Sequence, residues 1–135
     1  LTSYMEEISK TVTVLNNSDD PDLKRIAKQL REALKNLASA SQFIIENSQA
    51  SQKFVGAVSY NFLMMMGYVA GGWYMARSAE LAVNRINEGS DNDFYRKKMI
   101  SVGFYFSQLL PRHLGYRDAV IQGAGLGASL TEESF

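Results

Sequence analysis

A chain of 135 residues without a cysteine excludes a disulfide framework and a thiolate metal site, and it is long enough to bury a core without either. Fourteen Lys+Arg balance fourteen Asp+Glu, so the basic excess that marks most nucleic-acid binders is absent. Two prolines and frequent Ala, Leu, Met and Glu favour helix, and the cysteine-free composition fits a reducing compartment.

Residues 2–15 carry Met5, Ile8, Val12 and Leu15 at 3-4-3 spacing, one stripe of a leading helix, although the TVTVL segment alternates as a strand would. NNSDDP follows. Asp20 suits an N-cap and Pro21 the first helical position, so a helix is expected to begin there. From 21 to about 47 the seam Leu23, Ala27, Leu30, Leu34, Leu37, Ser41, Ile44 steps 4-3-4-3-4-3. A turn is expected near Asn47-Ser48. A longer run then keeps the same alternation through Val55, Val58, Phe62, Met65, Val69, Gly72, Ala76, Ala79, Val83 and Ile86, and stops at Asn87-Glu88-Gly89. Ser90 to Asp93 offer caps for the next helix, whose seam is Tyr95, Met99, Val102, Phe106 and Leu109, and Pro111 is expected to close or kink it. A Gly- and Ala-rich last helix spans about Arg112 to Leu130, with a frayed tail at 131–135. The expected fold is a single all-α domain over 1–135: an up-and-down bundle of four main antiparallel helices plus the leading N-terminal helix.

Phe54 to Ala76 carries no charge and is long enough to span a bilayer, with Trp73 and Tyr74 at one end. The seam, however, runs past Arg77 to Ile86 without losing phase, which is what a helix buried inside a bundle does. Met64, Met65 and Met66 read as core fillers. Gly67 and Gly71 are expected to mark a close approach of another helix backbone. Gly123, Gly125 and Gly127 lack the strand and the spacing of a dinucleotide loop, so they too read as packing glycines. Lys24, Arg25, Lys28, Arg31 and Lys35 read as a solvated face.

His113 is the only histidine. It has no Glu three residues before it, as a di-iron bundle would need, and is expected to be a capping or surface residue. Glu80, one turn past Arg77, has no companion catalytic group; it reads as an edge position or a polar contact. No catalytic, cofactor-binding or metal-binding residue is assigned. Successive residues lie about 100° apart on a helix, so Phe104, Tyr105 and Phe106 cannot all face one seam. At least one of them should meet a second layer, and the run is expected to make the chain self-associate or to form an exposed apolar patch.

Three stretches carry a resemblance: MGYVAGGWYMARSAELA (66–82), DFYRKKMISVGFYFSQLLPR (93–112) and GAGLGASL (123–130). They resemble the extra C-terminal domain of acyl-CoA dehydrogenases of the acetyl-CoA or 3-methylmercaptopropionyl-CoA dehydrogenase-like type. The matching positions are Gly67 to Gly71, then Phe94, Tyr95 and Lys98, then Phe104 to Phe106 leading into Leu110-Pro111. Gly103 departs from the pattern, where a basic residue is expected. The resemblance covers roughly residues 2–130. It implies a cytoplasmic FAD flavoprotein of fatty acid metabolism that dehydrogenates an acyl-CoA thioester between Cα and Cβ. Its catalytic glutamate and FAD-binding segments would lie in preceding domains, with none of them in this chain. It further implies a homo-oligomer, with no nucleic-acid or membrane partner. The first residue, Leu1, fits a piece cut from a longer chain. Two other readings stand beside this one: a stand-alone helical interaction module, and a membrane helix at 54–76.

Overall fold

The computed structural model describes the backbone of residues 1–47 and 52–129, and their side chains apart from 52–55, 57 and 124–129. It forms five α-helices: α1 (Thr2–Asn16), α2 (Pro21–Asn47), α3 (Gln52–Asn87), α4 (Asp93–Phe104) and α5 (His113–Ser129). A π-helical turn, Tyr105–Leu109, and a 3-10 turn, Leu110–Arg112, join α4 to α5. No strand occurs among the described residues, and the TVTVL segment is helical. Its Ile8, Val12 and Leu15 are buried; helical spacing therefore outweighs the local β-branched propensity.

The caps follow the sequence. Asp20 Oδ1 accepts from the backbone N–H of Asp22 at 2.8 Å and of Leu23 at 3.2 Å, with Pro21 in the first turn where its missing donor is not needed. α3 ends in a Schellman motif. Ser90 N–H donates to the Arg85 carbonyl and Gly89 N–H to that of Ile86, while Gly89 takes φ 93°, a left-handed value that glycine adopts without a Cβ penalty. Asn92 caps α4 by accepting from Phe94 N–H.

The seams are the core. On α3, Val58, Met65, Val69, Ala76, Ala79 and Val83 are buried, with Phe62 half-buried against them; Val55 lies outside the described side chains. On α2, Leu23, Ala27, Leu30, Leu34 and Leu37 are joined inside by Ile26, Ala33 and Ala40. That second buried row exists because α2 touches α1, α3 and α5 at once. Each fully buried Leu, such as Leu30 or Leu37, contributes about 1.5–3 kcal/mol. α3 is central, packed on all four other helices. α4 and α5 follow one another along it: Tyr105 lies against Gly71 and Gly72, Tyr116 stacks on Tyr68, and Gly123 faces Val58. The turn expected at Asn47-Ser48 and the tail at 131–135 lie outside the described residues. No described helix is long and apolar enough to cross a membrane.

The α4–α5 junction departs from a plain α-helix with a Pro kink. The π turn inserts one residue into the helical phase. The buried series therefore runs Val102, Phe106, Leu110, and Leu109, the seam position expected from simple spacing, is only half-buried.

Candidate functional site

The glycines redraw one expectation. Gly67 and Gly71 do not mark a backbone contact: Gly67 is exposed, and a Cβ added there would meet nothing within 4 Å. The close approach is made at Gly71 and Gly72, and the group that approaches is the Tyr105 side chain. A Cβ at Gly71 would collide with the Tyr105 hydroxyl and lie 2.9 Å from its Cζ. At Gly72 it would press on Leu30 Cδ1 at 3.2 Å and Leu110 Cδ1 at 3.3 Å. In that notch the Tyr105 hydroxyl donates to the Tyr68 carbonyl. Burial, then the neighbouring Tyr68, pushes its phenol up to about 12, against a smaller opposing pull from the Gly72 backbone. The phenol therefore stays neutral and acts as a donor anchoring the π turn to α3. The aromatic run divides as helical geometry requires: Tyr105 faces α3, Phe106 is buried beside Ile26 of α2, and Phe104 is left 59% exposed.

His113 is the second correction. It is buried, not a surface residue, and it caps from inside the 3-10 turn that precedes it. The Leu110 carbonyl, 2.7 Å from Nδ1, can only accept, so Nδ1 carries the proton. Nε2 then accepts from Asn36 Nδ2 at 3.0 Å, and Asn36 Oδ1 in turn accepts from Arg117 at 3.2 Å. The relay runs from α5 through α2 to the 3-10 turn. Protonating His113 would set an N–H against the Asn36 amide N–H, and flipping that amide would set its N–H against Arg117. Burial first, then Arg117, lowers the imidazole's pKa, while the Leu110 carbonyl and Glu32 oppose this more weakly. With both nitrogens engaged, the ring has no free lone pair for base catalysis; it is a structural tie.

The other candidates fall apart in space or face water. Lys24, Arg25, Lys28, Arg31 and Lys35 are all exposed along α2, as a solvated face should be. Arg77 lies over the Trp73 ring, 5.6 Å from its centroid. Trp73 does not mark a membrane interface: its Nε1–H donates to Thr11 Oγ1 at 2.9 Å, and it meets Tyr4 edge-on, which ties α1 to α3. Glu80 is half-buried beside an open depression of about 550 Å³ along α3 that it shares with Tyr74, Ser78 and Leu81. Gly123, Gly125 and Gly127 fall inside α5, where the helix takes up their backbone groups, so no phosphate cradle forms. No cluster of His, Asp or Glu among the described residues could hold a metal ion.

What sequence reasoning missed is the outside of α3. Tyr60, Leu63, Tyr74 and Leu81 are 52–65% exposed. These large apolar side chains share one face of the central helix with Gly56 and Gly67, which are also exposed. The signal was present as a second 3-4 alternation, hidden by the helix being apolar all round.

Residues 4–130 match the family model described as acetyl-CoA dehydrogenase C-terminal like. The chain is also similar to 3-methylmercaptopropionyl-CoA dehydrogenase of Ruegeria pomeroyi, at 29% identity over 87 residues. That match covers 64% of this chain and 15% of the relative, so the chain corresponds to a small part of that relative's length.

Proposed function

Since the chain belongs to the acetyl-CoA dehydrogenase C-terminal-like family, we propose that it is the helical accessory domain of an FAD-dependent acyl-CoA dehydrogenase. The family match over 4–130 carries this reading. In it, the parent enzyme is a cytoplasmic homo-oligomer of fatty acid metabolism. Its other domains hold FAD, which when bound supplies a hydride acceptor, and they hold the glutamate that takes the α-proton of the acyl-CoA. The residues of this chain do not fit a flavin: the GAGLG segment is interior helix, and the buried polar groups, Tyr105 and His113, are engaged with this domain's own backbone and side chains. The role assigned to the domain is therefore structural, covering a surface of the parent enzyme or ordering its assembly.

The test compares two polypeptides. The full-length gene product is expected to purify yellow and to reduce a dye acceptor with an acyl-CoA, whereas residues 1–135 alone purify colourless and inactive. A full-length product without flavin would defeat this reading. The self-contained core favours a second reading, a free-standing interaction module. A gene encoding little beyond these residues would select it.

A further inference from the structure

Two seams run along α3. The inner one, Val58, Phe62, Met65, Val69, Gly72, Ala76, Ala79, Val83, faces the core. The outer one is Gly56, Tyr60, Leu63, Gly67, Ala70, Tyr74, Arg77, Leu81, and it keeps the same 4-3-4-3-4-3-4 steps two residues ahead. Two residues are about 200° of helix, so the seams lie on opposite sides. α3 packs on α1, α2, α4 and α5, yet the outer seam keeps its large side chains exposed, touched at its edges where Tyr60 meets Tyr116 edge-on and Lys98 Nζ lies 5.3 Å over the Tyr74 ring. Tyr60 is 63% exposed, Leu63 65% and Tyr74 63%, and no charged residue occurs between Lys53 and Arg77. By contrast, the exposed face of α2 carries five cations between Lys24 and Lys35. A solvated helix face is normally charged, and the part of the seam from Gly56 to Tyr74, about five turns long with no charge of its own, is the mark of a contact surface.

We propose that the outer seam of α3 is the docking face of this domain, and that its occupant is an apolar helix from the dehydrogenase portion of the same polypeptide. The inference rests on the accessory-domain reading above. Three observations choose this occupant. A sustained 3-4 alternation of large and small side chains is the pattern that receives a helix by knobs-into-holes packing. Gly56 and Gly67, with open space where a Cβ would stand, leave hollows between Tyr60, Leu63 and Tyr74. The matched stretch is 15% of the relative's length, so a far larger body stands beside this domain in that protein.

Cysteine accessibility tests the proposal, since residues 1–135 contain no cysteine of their own. Leu63→Cys and, separately, Lys28→Cys on the α2 face are made in the full-length protein and in the 135-residue chain. Maleimide modification of each site is followed by peptide mass spectrometry. In the full-length protein, Leu63→Cys is expected to react about tenfold or more slowly than in the 135-residue chain, as a buried site would. Lys28→Cys should react alike in both. Tyr74→Cys, on the same seam, should repeat the Leu63 result if Leu63→Cys perturbs folding. Equal rates at Leu63 in the two proteins would overturn the proposal. Protection that appears in the 135-residue chain and grows with its concentration would overturn it in favour of a second copy. A flavin-free full-length protein with Leu63 protected would sink the flavoenzyme reading and keep the docking face; a yellow one with Leu63 freely reactive would do the reverse.

Discussion

The two faces of α3 are built from nearly the same residue types, yet one is core and the other is open. Met65 and Val69 are fully buried, while Leu63 and Tyr60, only a few residues away, stand mostly in water. Their hydropathy does not separate them. What separates them is the rest of the chain: α1, α2, α4 and α5 bury the inner seam of α3 and leave the outer one mostly exposed. Burial is thus a property of the neighbours a face finds, and an apolar face without neighbours is a statement about what is missing.

Perturbing one side at a time sharpens that contrast. The largest effect is expected at Leu30, fully buried opposite Gly72. Leu30→Ala should cost about 2–5 kcal/mol in urea unfolding. Next is the tyrosine notch. Gly71→Ala drives a methyl onto the Tyr105 hydroxyl and should cost about 1–3 kcal/mol, and adding Tyr105→Phe should recover part of that loss. The same change on the outer seam has the opposite sign. Gly67→Ala meets nothing and replaces a weak helix former, so it should stabilise by about 0.4–1 kcal/mol. Smaller again is the pH response of the His113 relay. The unfolded imidazole takes a proton near its ordinary value of 6.5, and the folded one only at lower pH. The stability contributed by the neutral ring is therefore complete above that value and declines as pH falls below it. The urea midpoint should drop between pH 7.5 and 5.5, and His113→Phe should flatten that drop. The smallest effect is expected on the open face: Leu63→Ala should move the stability of the 135-residue chain by no more than about 0.5 kcal/mol.

Much of the fold was legible because the seams, the Asp20-Pro21 start and the Gly89 stop each act through local geometry. The all-α bundle, the start of α2 at Pro21 and the end of α3 at Asn87 followed from them. The π turn was not legible, because one inserted residue leaves no mark in composition and shows only as the shift from Leu109 to Leu110. The burial of His113 was missed because its side-chain partner, Asn36, lies 77 positions away in the chain, and Asn36 is itself held by Arg117 across 81 positions. Gly67 was read as a contact and Gly72 as a mere seam position, because spacing alone cannot say whether a helix or a tyrosine fills a notch. The outer seam was missed for a related reason: a helix apolar on every side offers no polar face against which to see a second stripe.

If the outer face is a docking face, the inner face alone should suffice to fold this domain. Paired charge insertion tests it most directly, by urea unfolding of Met65→Glu and Leu63→Glu in the 135-residue chain. Met65→Glu should abolish the cooperative transition, while Leu63→Glu should keep the parent midpoint and helicity. A Leu63→Glu chain that unfolds as readily as Met65→Glu would contradict it.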